Sequence, residues 1–106
     1  MPVVNSQTLT DGATVNWDLL AGAFASVTLG GNRALANPSN VGPAGMSYTL
    51  KVVQDGTGSR TLSFGSAYLF AGGVDPVLST AASAVDYIFF VSDGTNLVGS
   101  MLKAVA

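Results

Sequence analysis

Few side chains in this sequence can do acid–base, nucleophilic or metal chemistry: Asp11, Asp18, Asp55, Asp75, Asp86 and Asp93, with Arg33, Arg60, Lys51 and Lys103. Histidine is absent, which removes the commonest general base and the commonest metal ligand. Cysteine is absent too, so neither a serine–histidine nor a cysteine–histidine nucleophile can be built, and no disulfide or thiolate site exists. The usual zinc ligand sets go with them. A paired-carboxylate hydrolase needs two aspartates facing one cleft. Asp11, Asp55, Asp75 and Asp93, however, each sit beside glycine or proline, where turn chemistry explains an aspartate. The inventory predicts a protein that is not an enzyme, with no catalytic, cofactor-binding or metal-binding residue to assign and no cofactor.

The densest grouping of polar and special residues is Gln54-Asp55-Gly56-Thr57-Gly58-Ser59-Arg60-Thr61-Leu62-Ser63-Phe64. Its glycines suggest a phosphate cradle, but such a loop needs lysine followed by serine or threonine at a helix start. Here Arg60 onward continues as a strand. The expectation is a β-hairpin tip, joining a strand over Met46–Gln54 to a partner over Thr61–Phe64, with Gly58 in a special backbone conformation. Arg60 is expected to pair with a strand aspartate, Asp18 or Asp86, because a buried carboxylate needs a partner. Asp86 as a calcium ligand fails on ligand count: calcium takes six to eight oxygens, and no Asp-x-Asp pattern supplies them. Trp17, flanked by Val15 and Leu19 at strand spacing, reads as core rather than as a sugar-stacking platform. Tyr48, Tyr68 and Tyr87 suit either a core edge or an interface.

The elements that position these residues are short alternating runs punctuated by glycine, proline, asparagine and aspartate, the signature of an all-β domain. Strands are expected at Val3–Leu9, Thr14–Asp18, Phe24–Leu29, Arg33–Ala36 (pairing back across Gly30-Gly31-Asn32), Met46–Gln54, Thr61–Phe64 (with a brief extension at Tyr68–Phe70), Ala84–Ser92 and Asn96–Leu102. Asp93-Gly94 predicts a type I′ hairpin turn before the last of these. About eight strands in one domain point to an antiparallel β-sandwich, jelly roll or small barrel. The expected division is an N-terminal arm or first strand over 1–10 and a single domain over 11–106. Ile88-Phe89-Phe90-Val91 is apolar on both faces, so the second face is expected to meet another subunit.

The 106 residues are 48% hydrophobic and only 9% charged, with a net charge of −2. An ordinary soluble domain is about one quarter charged. So sparse a charge leaves a surface suited to burial in an assembly. Without clustered basic residues there is no electrostatic footprint for nucleic acid. No apolar run approaches the roughly 20 residues of a membrane span, and Met1-Pro2-Val3-Val4-Asn5 lacks the parts of a signal peptide.

The order of Val15-Asn16-Trp17-Asp18, Val27-Thr28-Leu29-Gly30-Gly31-Asn32, Tyr48 through Leu62, Asp86-Tyr87-Ile88-Phe89-Phe90 and the strand from Gly94 to Leu102 resembles a small β module of tailed-bacteriophage virions, found in tail-fibre tips and related surface proteins. The resemblance covers the chain from about Asp11 onward and is most specific at Gln54–Leu62. It implies a homotrimeric β-sandwich or jelly-roll structural protein on the exterior of the virion, made in the host cytoplasm, and it brings no catalytic residues. Its partners would be copies of itself and a major capsid or tail protein. With only ten residues ahead of Asp11, the expectation is a capsid decoration protein that stabilises the shell by binding its assembled state, docked by Pro2–Leu9. The alternative is a tail-fibre or tail-tip module that binds a host-surface glycan through exposed tyrosines and loop asparagines such as Asn37 and Asn40.

Overall fold

Strict alternation of side chains along two eight-residue strands sets the frame of the molecule. In the computed structural model, which describes residues 6–105, nine strands occur among the described residues: β1 (Ser6–Thr8), β2 (Thr14–Val15), β3 (Phe24–Leu29), β4 (Arg33–Leu35), β5 (Ser47–Gln54), β6 (Leu62–Phe64), β7 (Tyr68–Phe70), β8 (Val85–Ser92) and β9 (Leu97–Leu102). Along β5, Tyr48, Leu50, Val52 and Gln54 face inward while Ser47, Thr49, Lys51 and Val53 face outward, the period-two pattern of a strand. β8 repeats it with Asp86, Ile88, Phe90 and Ser92 inside. Apart from a short 3-10 turn at Ala71–Gly73, no helix interrupts the described residues.

The strands form a six-stranded sheet in the order β1-β3-β5-β8-β9-β7 and a three-stranded sheet in the order β2-β4-β6. Three successive pieces of chain, β1 then β2, β3 then β4, β5 then β6, each place one strand in each sheet. Equivalent strands then stack in parallel: Ala25 lies opposite Leu50, and Arg33 opposite Leu62. The result is solenoid-like at its N-terminal side. β8 closes the end of β5 in antiparallel register, Leu50 opposite Ile88, and β9 follows antiparallel, with β7 parallel beyond it.

The all-β expectation stands, but the antiparallel arrangement does not: five strand pairs are parallel and two antiparallel. The expected hairpin over Gln54–Leu62 is absent. β5 pairs with β3 and β8, and β6 pairs with β4 in the other sheet. Gly30-Gly31-Asn32 likewise turns the chain from one sheet to the other instead of reversing it within one, since β4 pairs with β2 and β6. The physical cause lies 22 residues upstream. Asp11 accepts hydrogen bonds from Gly30 N at 3.1 Å and from Arg33 Nε and Nη2 at 2.8 and 3.0 Å. A Cβ at Gly30 would lie 2.8 Å from Asp11 Oδ2, and one at Gly31 2.8 Å from Arg33 Nη1. The two glycines serve close approach at a corner. The one true hairpin, β8–β9, turns at Gly94-Thr95. The expected I′ turn needs positive φ at both Asp93 and Gly94, and only Gly94 has it, at 97°.

A single apolar cluster draws from both sheets: Val15, Leu35 and Leu62 from the smaller, Ala25, Val27, Leu29, Leu50, Val52, Ile88 and Leu97 from the larger. Each buried Val, Leu or Ile contributes about 1.5–3 kcal/mol relative to exposure. Trp17 is buried, as expected, with its ring edge-on to Tyr48 and Phe90 and its indole N–H donating to Gly22 O. Of the expected Pro2–Leu9 arm, Pro2–Asn5 lie outside the described residues. Ser6–Thr8 pair with β3, and Leu9 is in the core. Thus Ser6–Leu9 belong to the folded domain, and deleting Pro2–Leu9 as a whole would remove core structure.

Candidate interaction surfaces

Two surfaces remain once the aspartates and tyrosines are followed to their partners. The aspartates are spread over the molecule, and five of the six have a local role. Asp55 caps its own turn, with Oδ1 accepting from Thr57 N and Gly58 N at 3.0 Å each, and it holds Arg60 through Nε and Nη2. The Arg60 hydrogen bond, helped by the Gly58 N–H, pulls its carboxyl down to about 2. Asp11 is held below the usual carboxylate range by Arg33, and Asp93 by the N–H groups of Asn96 and Thr95. Asp18 accepts from Leu20 N and Asn40 Nδ2. Arg60 therefore pairs with Asp55, five residues away, and with neither Asp18 nor Asp86.

Asp86 is buried, 2% exposed, and among the described residues no cation meets it. Its carboxylate accepts from Ser79 N, Ser79 Oγ and Ala104 N at 2.7–2.8 Å, enough charge-assisted bonds to satisfy it. Among the described residues no cluster of three or more acidic side chains could hold a metal ion.

The expected glycan contacts are redistributed. Tyr48 and Tyr68 are buried; Tyr48 Oη accepts from Gly42 N, and Tyr68 Oη donates to Ala36 O, its acidity suppressed by burial. Asn37 braces the start of β7, accepting from Ala67 N, and Asn40 braces Asp18. Among the tyrosines only Tyr87 reaches the outer surface, where its ring stacks on Phe89 with centroids 6.2 Å apart.

That stack belongs to the first surface. On the outward side of the large sheet, register places Tyr87 beside Leu102, Phe89 beside Ser100, Val91 beside Val98, and Val98 beside Leu69. Leu69, Phe89, Val91, Val98 and Leu102 are each 41–53% exposed. The run Ile88–Val91 thus splits as its alternation requires: Ile88 and Phe90 enter the core, and Phe89 and Val91 stay outside.

The second surface is a cavity of about 160 Å³ where the segment before β6 meets the loop before β8, bounded by Arg60, Thr61, Leu62, Pro76, Val77 and Leu78. Gln54, inward-facing and 2% exposed, clasps the two loops. Its amide oxygen accepts from Arg60 N, and its amide nitrogen donates to Arg60 O and Ser79 O. Ser59 N and Ser83 N add bonds to Thr80 O and Asp55 O. Sequence reading missed this role of Gln54. The available signal was its phase: period two from Tyr48, Leu50 and Val52 puts Gln54 inside.

A protein-family model described as "putative phage tail fibre C-terminal domain" matches residues 18–97. No curated protein and no solved structure matches the chain. The matched span takes in β3 through β8 and the residues lining the cavity, ending at the first residue of β9, and the chain belongs to this tail-fibre family.

Proposed function

We propose, from that membership, that the chain is a structural module of a phage tail fibre, assembled with copies of itself as a homotrimer and facing the host surface. The observation that carries the assembly is the outer face of β7, β8 and β9. Five large apolar side chains lie there in register, each at least two-fifths exposed, in a protein with 9% charged residues. A contiguous apolar patch of this kind marks a contact surface. Three copies converging on this face would cover Phe89, Val91 and Val98 together. The expected mass in solution is three times the 10.7 kDa of the chain. Phe89→Asp with Val91→Asp should leave a folded monomer, and a wild-type protein that is monomeric across its soluble concentration range would overturn the assembly.

Family membership favours the tail over the shell. The capsid decoration reading keeps the trimer but seats it on the shell, docked by Pro2–Leu9. Immunogold labelling of the particle separates the two. Label at the tail is expected, and label confined to the shell would reverse the assignment.

A further inference from the structure

We propose that the cavity between Arg60–Leu62 and Pro76–Leu78 is a subsite for the acetyl group of a neutral acetylated sugar; this rests on the reading of the chain as a host-facing tail-fibre module. The walls are apolar. Leu62 and Leu78 are core residues at 7% and 4% exposure and form a fixed floor, while Val77, 72% exposed, stands at the rim. A dry apolar cavity of about 150 Å³ holds a molecule the size of benzene, so 160 Å³ admits a methyl-bearing substituent and not a whole saccharide.

The polar residues of the lining select what the substituent carries. Arg60 commits Nε and Nη2 to Asp55, and among the described residues Nη1 has no acceptor. Thr61 and Thr80 also line the cavity, and neither hydroxyl has a hydrogen-bond partner among the described residues. An apolar floor with an arginine among its lining residues matches a methyl group with a carbonyl oxygen, which is an acetyl group. The two hydroxyls suit the ring hydroxyls of a sugar. Charge argues for a neutral ligand: Asp55 already neutralises Arg60, and exposed Asp75 precedes Pro76. An amino sugar stripped of its acetyl group would bring an ammonium to a guanidinium and leave the floor empty. The Gln54 clasp and the Asp86–Ser79 bonds hold both walls before any ligand arrives, so little ordering opposes binding.

The test is a methyl-detected NMR titration of the whole protein with N-acetylglucosamine, N-acetylgalactosamine and N-acetylmannosamine, each against its unacetylated amine. At least one acetylated sugar should shift the Leu62, Val77 and Leu78 methyls, and its amine should not. Val77→Asp, at an exposed rim position, should weaken that binding at least tenfold with an unchanged spectrum elsewhere. Silence of these methyls with all three acetylated sugars, or equal binding by Val77→Asp, overturns the subsite. A parallel assay separates this from the parent reading: purified protein should compete with phage adsorption to host cells. Competition that survives Val77→Asp in full removes the subsite and leaves the host-facing reading intact, whereas no competition by the wild type removes both.

Discussion

The side-chain amide of Gln54 pairs with the main chain of Arg60 as a neighbouring strand would, accepting from Arg60 N at 3.0 Å and donating to Arg60 O at 2.8 Å. Its second N–H reaches Ser79 O at 2.9 Å. One buried side chain thus replaces the ladder that a β5–β6 hairpin would have formed, and it fixes the loop that follows β7 at the same time.

Gln54→Ala should therefore cost more than a surface truncation. It strands a backbone N–H and two carbonyls at a nearly closed site, at about 1–3 kcal/mol for a buried group left unsatisfied. A loss of about 3 kcal/mol in urea unfolding is expected, with an unchanged m-value. Gln54→Glu should be at least as damaging at neutral pH, because a carboxylate cannot donate to Arg60 O or Ser79 O. A loss under about 0.5 kcal/mol, the range of ordinary surface substitutions, would mean that the clasp is dispensable.

Acid should weaken the fold through the turn aspartates. The Asp55 carboxyl is lowered to about 2 from an ordinary 3.8, chiefly by Arg60, and Asp11 and Asp93 are lowered as well. A folded-state pKa below the unfolded one means that the unfolded chain takes up protons first as pH falls. The contribution of Asp55 is fully present above the unfolded value and disappears as pH falls from about 4 toward 2. The urea midpoint should be flat from neutral pH to about 5 and then decline. Asp55→Asn should lower the plateau and flatten the decline, and an unaltered slope would remove the Asp55–Arg60 pair from the acid response.

The Gly58 and Gly45 positions separate two reasons for glycine. Both have positive φ, 75° and 95°. A Cβ at Gly45 would meet open space, whereas one at Gly58 would lie 2.6 Å from Thr80 O and 2.8 Å from Ala82 N. Gly45→Ala should cost only the left-handed strain of about 1–2 kcal/mol. Gly58→Ala must also push apart two loops joined by Ser59 N–Thr80 O, and it should exceed Gly45→Ala by at least about 1 kcal/mol on overpacking grounds. Equal thermal melting of the two variants would show that the loops yield freely.

Much of this architecture is written in local pattern, and the remainder in contacts the pattern does not encode. Alternation over Tyr48–Gln54 and Asp86–Ser92 identifies the two long strands and their inward faces, and the burial of Trp17 between Val15 and Leu19 follows from the same spacing. What local pattern does not carry is which strand pairs with which. Glycine at Gly30-Gly31 and Gly56–Gly58 signals a turn whether the chain reverses within a sheet or steps to another. The outcome depends on Asp11 reaching Arg33 and Gly30, and on Gln54 reaching Arg60 and Ser79. The ion pair assigned to Asp18 or Asp86 failed for a related reason. Main-chain and side-chain amide donors satisfy Asp18, main-chain and hydroxyl donors satisfy Asp86, and the nearer Asp55 takes Arg60. Of the candidate surfaces, the apolar outer face was legible in Ile88–Val91. The cavity was not, because Leu62 and Leu78 come together only through the loop clasp.

Phe89 and Phe90, adjacent in sequence, should give opposite phenotypes. Phe90 is 3% exposed, its ring 5.4 Å from Tyr68 and 5.9 Å from both Trp17 and Phe70. Gly99 lacks a side chain where a Cβ would come within 2.6 Å of the Phe90 ring. Phe90→Ala should cost about 3–5 kcal/mol, the range for emptying a packed aromatic site, and should appear as a large drop in melting temperature whatever the assembly state. Phe89, at 45% exposure, touches the core little. Phe89→Ala should leave monomer stability within about 1 kcal/mol, since much of the side chain's area is already in water. Its effect should fall on assembly, measured as a rise in the dissociation constant by sedimentation across a concentration series. The contrast isolates the outer face, because one strand presents both residues and differs only in the side to which they point. A Phe89→Ala protein that melts as early as Phe90→Ala while sedimenting like the wild type would mean that the outer ring supports the fold, and the subunit contact would have to lie elsewhere.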